Sequence, residues 1–201
     1  MYLLHEYLEG SGADDLRSQV QVGPTRRPCL VHSWFHGFPK PDNVVGEENR
    51  WKLNAWRDAV SASIGCTFST TIETELEALQ RYHEHRLELL HRYDAGWGVL
   101  VEQEGLVQRS LERLEAEAPG LKWLVVATEY DGLNPCKKLE WPHIVSTIAE
   151  LGFSHFDVFG CNNGGAEACV PSVTRFLTES GLFVEARIDA SACFEWQGHA
   201  V

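Results

Sequence analysis

The chain has 201 residues, of which 44% are hydrophobic and 23% are charged, and its formal net charge is −12. This composition is typical of a soluble globular protein that buries a full core, and the length fits one α/β domain with or without an elaboration. The acidic balance argues against nucleic acid or an anionic membrane as partner, because both require patches of Lys and Arg. No apolar run approaches the roughly 20 residues that span a bilayer. Because the start of the chain lacks the features of a secretion signal, we expect an intracellular protein in a reducing compartment, either the cytoplasm or an organelle matrix.

Strands and helices alternate along the sequence. We interpret residues 1–28 as an N-terminal extension and residues 29–201 as one α/β domain, interrupted by a helical insertion at 72–120. The hydrophobic patterns predict strands at 29–35, 64–70, 122–128, 155–160 and 182–188, with 97–101 as a candidate for a further short strand. They predict helices at 47–62, 72–94, 107–118, 142–151 and 169–180. This alternation is typical of a mostly parallel sheet with helices on both faces.

Six cysteines are spread along the chain without a CxxC pair. In a reducing compartment this spacing predicts thiols rather than disulfides. It also lacks the ligand spacing of a structural zinc site. His32 and His36 lie four residues apart at a strand end, without the helix and the glutamate of a zinc helix. We therefore expect no metal and no cofactor.

Residues 156–190 read as a strand, a glycine-rich loop, a helix and a strand, with Cys169 where the loop enters the helix. A thiol in this position experiences the partial positive charge of the helix N-terminus and the free N–H groups of the first turn, which favour the thiolate. Cysteine is also among the most buried residue types, so a purely structural role is the alternative.

The residues that follow Cys169 are spaced as in the isochorismatase-like cysteine hydrolases, whose pattern is CVxxTxR…GxxV…DA…H. The matching positions here are Arg175, Gly181, Val184, Asp189–Ala190 and His199, with Val173 in place of the threonine. The segment STIAELGFSHFDVFG is similar to the preceding helix and strand of that family, and CLVHSWFHGF resembles its first strand, LLVIDMQNGF. The likeness leaves out residues 72–120 and implies a three-layer sandwich.

The resemblance implies a cysteine nucleophile, an aspartate at the end of the first strand that takes the thiol proton, and a lysine after the third strand. Cys169 matches the nucleophile, whereas the aspartate position falls on Ser33 and the lysine position falls near Thr128. Serine is no comparable base near neutral pH. Because catalytic residues act as a unit, loss of the base alone removes most of the rate.

Two hypotheses follow. The first is a non-catalytic member of the fold, kept as a subunit that binds other proteins or its own copies, with seven tryptophans available as interface anchors. The second is a divergent cysteine hydrolase acting on a small amide or a related substrate through Cys169. In that case Glu129, Asp131 or Glu102 replaces the base, and Lys137 or Lys138 supplies the cation. It requires a carboxylate within about 3–4 Å of the Cys169 sulfur. Whether residues 72–117 pack on this domain or on another chain is left open.

Overall fold

The computed structural model describes residues 2–3, 13–20, 22–33, 43–93, 95–128, 141–166, 168–195 and 198–200. The strands in these ranges are β1 (Tyr2–Leu3), β2 (Arg26–Val31), β3 (Cys66–Phe68), β4 (Gly96–Gln103), β5 (Leu121–Thr128), β6 (His155–Cys161), β7 (Glu185–Phe194) and β8 (Gly198–Ala200). The helices are α1 (Ala13–Gln19), α2 (Glu47–Ile64), α3 (Ile72–His91), α4 (Val107–Glu117), α5 (Trp141–Glu150) and α6 (Cys169–Glu179). A 3-10 turn, Glu104–Leu106, precedes α4.

The main sheet has the strand order β1-β5-β4-β2-β6-β7, and each of its pairings is parallel. Helices α1, α5 and α6 cover one face, where they bury residues such as Leu16, Ile144 and Val173. Helices α3 and α4 cover the other face through residues such as Leu89 and Leu114. The predicted class, an α/β protein with a parallel sheet between helical layers, is therefore confirmed. Parallel strands buried on both faces explain the long apolar runs in β4 and β5.

Residues 72–120 are not a purely helical insertion, which corrects the expected domain layout. Besides α3 and α4 they supply β4, which lies between β5 and β2 in the sheet. Val99 of β4 pairs with Cys29 of β2, and Leu124 of β5 pairs with Val99 on the other side. Strands β5 and β2 are both hydrogen-bonded to β4, so the central part of the sheet depends on this segment. The helices of the segment pack on this domain, α3 against β7 and α4 against β4 and β5.

The first 28 residues also differ from the expected extension. Strand β1 adds to the sheet by pairing with β5, and Leu16 and Val20 are buried in the core. Strand β2 starts at Arg26 rather than at Cys29. The strand predicted at 64–70 lies outside the main sheet, because β3 pairs in antiparallel orientation with β8. Within the described ranges, every helix is too short or too polar to span a bilayer.

Gly160 brings the ends of β2 and β6 close together. Its φ angle is 125°, and a Cβ atom built there would lie 2.0 Å from the carbonyl oxygen of Val31. Val31 and Gly160 are register partners at the carboxyl end of the two strands. Only glycine permits this approach, which places the residues after Val31 next to those after Gly160.

Candidate functional site

The carboxyl ends of β2, β4 and β6 meet at one edge of the sheet, which is where sites of open α/β proteins lie. Helix α6 begins at Cys169 after the loop that follows β6. Cys169 is 8% exposed, and it belongs to the core cluster that contains Cys29 and Val31 of β2. The sequence therefore placed Cys169 correctly at the start of a helix.

The N–H groups of the first turn of α6 are less available than the sequence predicts. The N–H of Val170 donates to the carbonyl of Asn162 at 3.0 Å, and that of Ser172 donates to Ala168 at 2.9 Å. Pro171 has no N–H group. The first turn of α6 therefore offers the Cys169 sulfur fewer free N–H donors than an open helix N-terminus does.

His32 follows β2 and adopts a left-handed backbone conformation, with a φ angle of 45°. Along β2, Cys29 and Val31 face the cluster that holds Cys169, whereas Leu30 faces the opposite side of the sheet. Simple alternation would direct His32 to the side of Leu30. The positive φ breaks this alternation, and its ring reaches the Cys169 thiol. Such a conformation is uncommon outside glycine, although histidine is among the residues that adopt it more often.

The imidazole of His32 lies between a carboxylate and a thiol. Its Nδ1 is 3.2 Å from Oε1 of Glu102, and the ring is also hydrogen-bonded to the side chain of Cys169. Since Glu102 occupies Nδ1, Nε2 remains for the sulfur. Burial alone lowers the pKa of His32, but the hydrogen bonds to Cys169 and Glu102 and their negative charges outweigh burial and raise this pKa from 6.5 to about 10. The imidazole is therefore charged at neutral pH.

Glu102 lies near the end of β4 and is 1% exposed. Its Oε2 accepts hydrogen bonds from the backbone N–H of Ser33 at 2.9 Å and from the hydroxyl of Ser110 at 2.8 Å. Its Oε1 accepts from the backbone N–H of Gln103 at 3.0 Å and faces His32. Buried carboxylates are stable as anions only when their oxygens are bonded in this way. Glu102 is therefore held in one orientation beside the imidazole.

The residues that the resemblance singled out lie around this arrangement. Ser33 is fully buried, and its hydroxyl has no hydrogen-bond partner among the described residues. Thr128 is 4% exposed at the end of β5, and its hydroxyl donates to the backbone carbonyl of Glu102 at 3.3 Å. Both residues therefore contact Glu102, Ser33 through its own backbone N–H and Thr128 through the backbone carbonyl of Glu102. Glu129, Asp131, Lys137 and Lys138 lie outside the described residues, as does His36.

Sequence reasoning did not assign His32 to the site. It considered His32 only as a metal ligand together with His36, and it found the position of the base occupied by the next residue, Ser33, which is no base. The available signal was a histidine directly after a buried strand, next to the position that the resemblance assigns to the base. Glu102 was named as one of three carboxylate candidates, and it reaches the site through His32, since the imidazole stands between the carboxylate and Cys169.

The other cysteines near the sheet edge have a different environment. Burial raises the pKa of Cys161 well above its usual range, and it raises the pKa of Cys193 to about 12. These side chains stay thiols at neutral pH. The described cysteines are all thiols rather than disulfides, as the sequence predicts, and Cys136 lies outside the described residues.

No group of three or more His, Cys, Asp or Glu side chains is placed to hold a metal ion within the part of the chain that the structure describes.

Of the tryptophans proposed as interface anchors, Trp97, Trp123 and Trp141 are buried in the core, whereas Trp51 on α2 is 70% exposed. A cavity of about 520 Å³ lies between α3 and the end of β7, where Glu75, Tyr82 and Phe194 line it.

The fold and this site define a class: an α/β protein with a parallel sheet and a cysteine, a histidine and a glutamate in contact at the carboxyl edge. Comparison with protein-family models finds no match, and comparisons with curated proteins and with solved structures find none either. The likeness to the isochorismatase-like hydrolases therefore stays a prediction from the sequence.

Proposed function

We propose that this protein is a cysteine-dependent hydrolase that acts on a small amide or a related acyl substrate. Cys169 is the nucleophile, His32 exchanges protons with it, and Glu102 orients and charges the imidazole. One observation carries the proposal: the ring of His32 is hydrogen-bonded to Cys169 and to Glu102 at once. A nucleophile, a base and a third group that orients the base are the general requirement of covalent catalysis.

The second of the two sequence hypotheses thus has geometric support, with His32 as the base and with Glu102, one of its three carboxylate candidates, behind the imidazole. The non-catalytic hypothesis rested on Ser33, which is no base, and on the missing lysine. In this proposal His32 replaces both missing groups, because it holds the proton of the thiol and supplies a positive charge beside the sulfur, so neither absence argues against catalysis. The role as a subunit of an assembly stays a prediction.

The proposed reaction has two halves. In the resting site Nε2 of His32 already holds the thiol proton, so the Cys169 thiolate attacks the carbonyl carbon, and the C–N bond breaks as the imidazolium gives this proton to the leaving amine. In the second half, the now neutral His32 takes a proton from water, the hydroxide attacks the thioester carbon, and the C–S bond breaks to restore the Cys169 thiolate beside the His32 imidazolium. Glu102 compensates the imidazolium charge in both halves.

Site-resolved alkylation tests the proposal. An ordinary cysteine has a pKa near 8.5 and holds roughly one part in three hundred as thiolate at pH 6. If Cys169 is paired with the His32 cation, iodoacetamide alkylates it at pH 6 about a hundred times faster than it alkylates N-acetylcysteine in the same solution. The variant His32→Gln loses this advantage, and release of ammonia from benzamide or acetamide measures turnover in parallel.

Peptide mapping by mass spectrometry assigns the label, and Cys193 serves as an internal control because burial raises its pKa to about 12. If iodoacetamide alkylates Cys169 at pH 6 equally fast in the wild type and in His32→Gln, the proposal is overturned. In that case the non-catalytic role becomes the better explanation of the fold.

A further inference from the structure

The backbone of His32 and Ser33 is hydrogen-bonded at all four of its polar groups. The N–H of His32 donates to the carbonyl of Val101 at 2.7 Å, and the carbonyl of His32 accepts from Cys161 at 3.3 Å. The N–H of Ser33 donates to Glu102, and the carbonyl of Ser33 accepts from the hydroxyl of Tyr82 at 2.8 Å. A left-handed conformation costs free energy and persists only where its surroundings fix it in this way.

Among these four bonds, the one from Tyr82 comes from a different layer of the fold. Tyr82 lies on α3, is 1% exposed, and packs with Leu79 and Phe194 in a core cluster separate from that of Cys169. Its hydroxyl therefore reaches across the edge of the sheet to the residue that follows His32. The strand bonds hold β2 in place, whereas the Ser33 carbonyl, on the side away from β2, is bonded to Tyr82.

We infer that Tyr82 is a positioning residue, which keeps His32 in the geometry that joins Cys169 to Glu102. This inference rests on the proposed function. Without the hydroxyl, the Ser33 carbonyl loses this donor, and a shift of the Ser33 backbone weakens the bond from the Ser33 N–H to Glu102. The carboxylate and the imidazole then lose their shared orientation.

The charged and titratable groups around these side chains are compatible with this role. Burial raises the pKa of Tyr82 well above 10, so its hydroxyl remains a donor throughout the accessible range. Cys161 on β6, Cys193 on β7 and Arg86 on α3 are the groups that act on Tyr82. Those that act on His32 are Glu102 and Cys169.

The test compares two substitutions that each remove one hydrogen-bonded tyrosine hydroxyl. Tyr82→Phe removes the donor to Ser33. Tyr93→Phe removes a donor to Asp157, where the hydroxyl and the carboxylate are 2.5 Å apart. Asp157 pairs with Pro28 in the first half of β2, away from His32. The readouts are the alkylation rate of Cys169 by iodoacetamide as a function of pH, the pKa of His32 from its NMR titration, and the melting temperature.

We expect both variants to melt at a lower temperature. Only Tyr82→Phe slows the alkylation of Cys169 at pH 6, by about tenfold, which corresponds to the loss of one buried hydrogen bond. It also shifts the pKa of His32 toward 6.5, whereas Tyr93→Phe leaves both values unchanged. A purely structural role predicts equal alkylation rates in the two variants and would overturn the inference.

Two further outcomes are distinguishable. If His32→Gln slows alkylation but Tyr82→Phe does not, the inference about Tyr82 fails and the proposed function stands. If neither substitution slows alkylation, the proposed function itself fails. Should Tyr82→Phe not fold, hydrogen exchange of the Ser33 amide in the wild-type protein decides: protection is expected, and exchange at the rate of an exposed loop amide contradicts the inference.

Discussion

Nδ1 of His32 and Oε1 of Glu102 lie 3.2 Å apart, at the carboxyl ends of β2 and β4. The two strands are direct neighbours in a parallel sheet, so their ends meet at one edge although α2, β3 and α3 separate them in the chain. The carboxylate accepts three further hydrogen bonds from N–H and O–H donors. Together with the hydrogen bond to Cys169, this contact raises the pKa of His32 to about 10, so the imidazole is charged at neutral pH.

The first prediction concerns the charge of Glu102. Glu102→Gln keeps the size of the side chain but removes the negative charge that helps to raise the pKa of His32. We expect the pKa of His32 to fall from about 10 toward 6.5 and the alkylation of Cys169 at pH 7 to slow by about tenfold or more. NMR titration of the His32 ring measures the first effect. A His32 pKa near 6.5 in the wild-type protein would contradict the assignment of this contact.

The second prediction concerns the pH dependence of folding. The pKa of His32 is about 10 in the folded state and near 6.5 in the unfolded state, so the folded protein binds this proton more tightly. His32 therefore contributes stability that is fully present below pH 6.5 and is lost as the pH rises through about 10. Urea unfolding of the wild type and of His32→Gln at several pH values gives the difference in their free energies of unfolding. We expect this difference to shrink as the pH rises from 6.5 to about 10. The variant Cys169→Ala removes the hydrogen bond that raises the pKa of His32, so the stabilisation by His32 is lost at a lower pH than in the wild type. A difference in unfolding free energy between the wild type and His32→Gln that stays constant with pH would contradict the prediction.

The third prediction concerns the contact between β2 and β6. Gly160→Ala places a methyl group 2.0 Å from the backbone oxygen of Val31 and imposes a φ angle of 125° on a residue with a side chain. We expect a loss of about 3 kcal/mol or more in the free energy of unfolding. Gly65→Ala is the matched control, because Gly65 also has a positive φ, of 67°, but nothing lies within 4 Å of its added Cβ. That variant should lose only about 1 kcal/mol, and equal losses in the two variants would argue against a close approach at Gly160.

The sequence predicts most elements because their patterns are local. The helix predicted at 72–94 is observed as Ile72–His91, and the strand predicted at 122–128 is observed as Leu121–Thr128. The segment Gly96–Gln103 shows where local reading fails: its apolar run is visible, but its place in the middle of the sheet is not. Strand order depends on pairing between distant segments, which no local pattern records. The expected helical insertion was therefore misjudged, although its two helices were correct.

By itself, the sequence determined the α/β class, the alternation of strands and helices, and the position of Cys169 at the start of a helix. These follow from hydrophobic periods and turn residues that lie within a few positions of each other. Only the tertiary structure decided that His32, rather than Ser33, meets the sulfur, and that Glu102 stands behind it. The reason is a single backbone angle: at a φ of 45°, His32 departs from the alternation that the sequence implies. That angle is held by hydrogen bonds from β4, β6 and α3, which come together only when the sheet has formed.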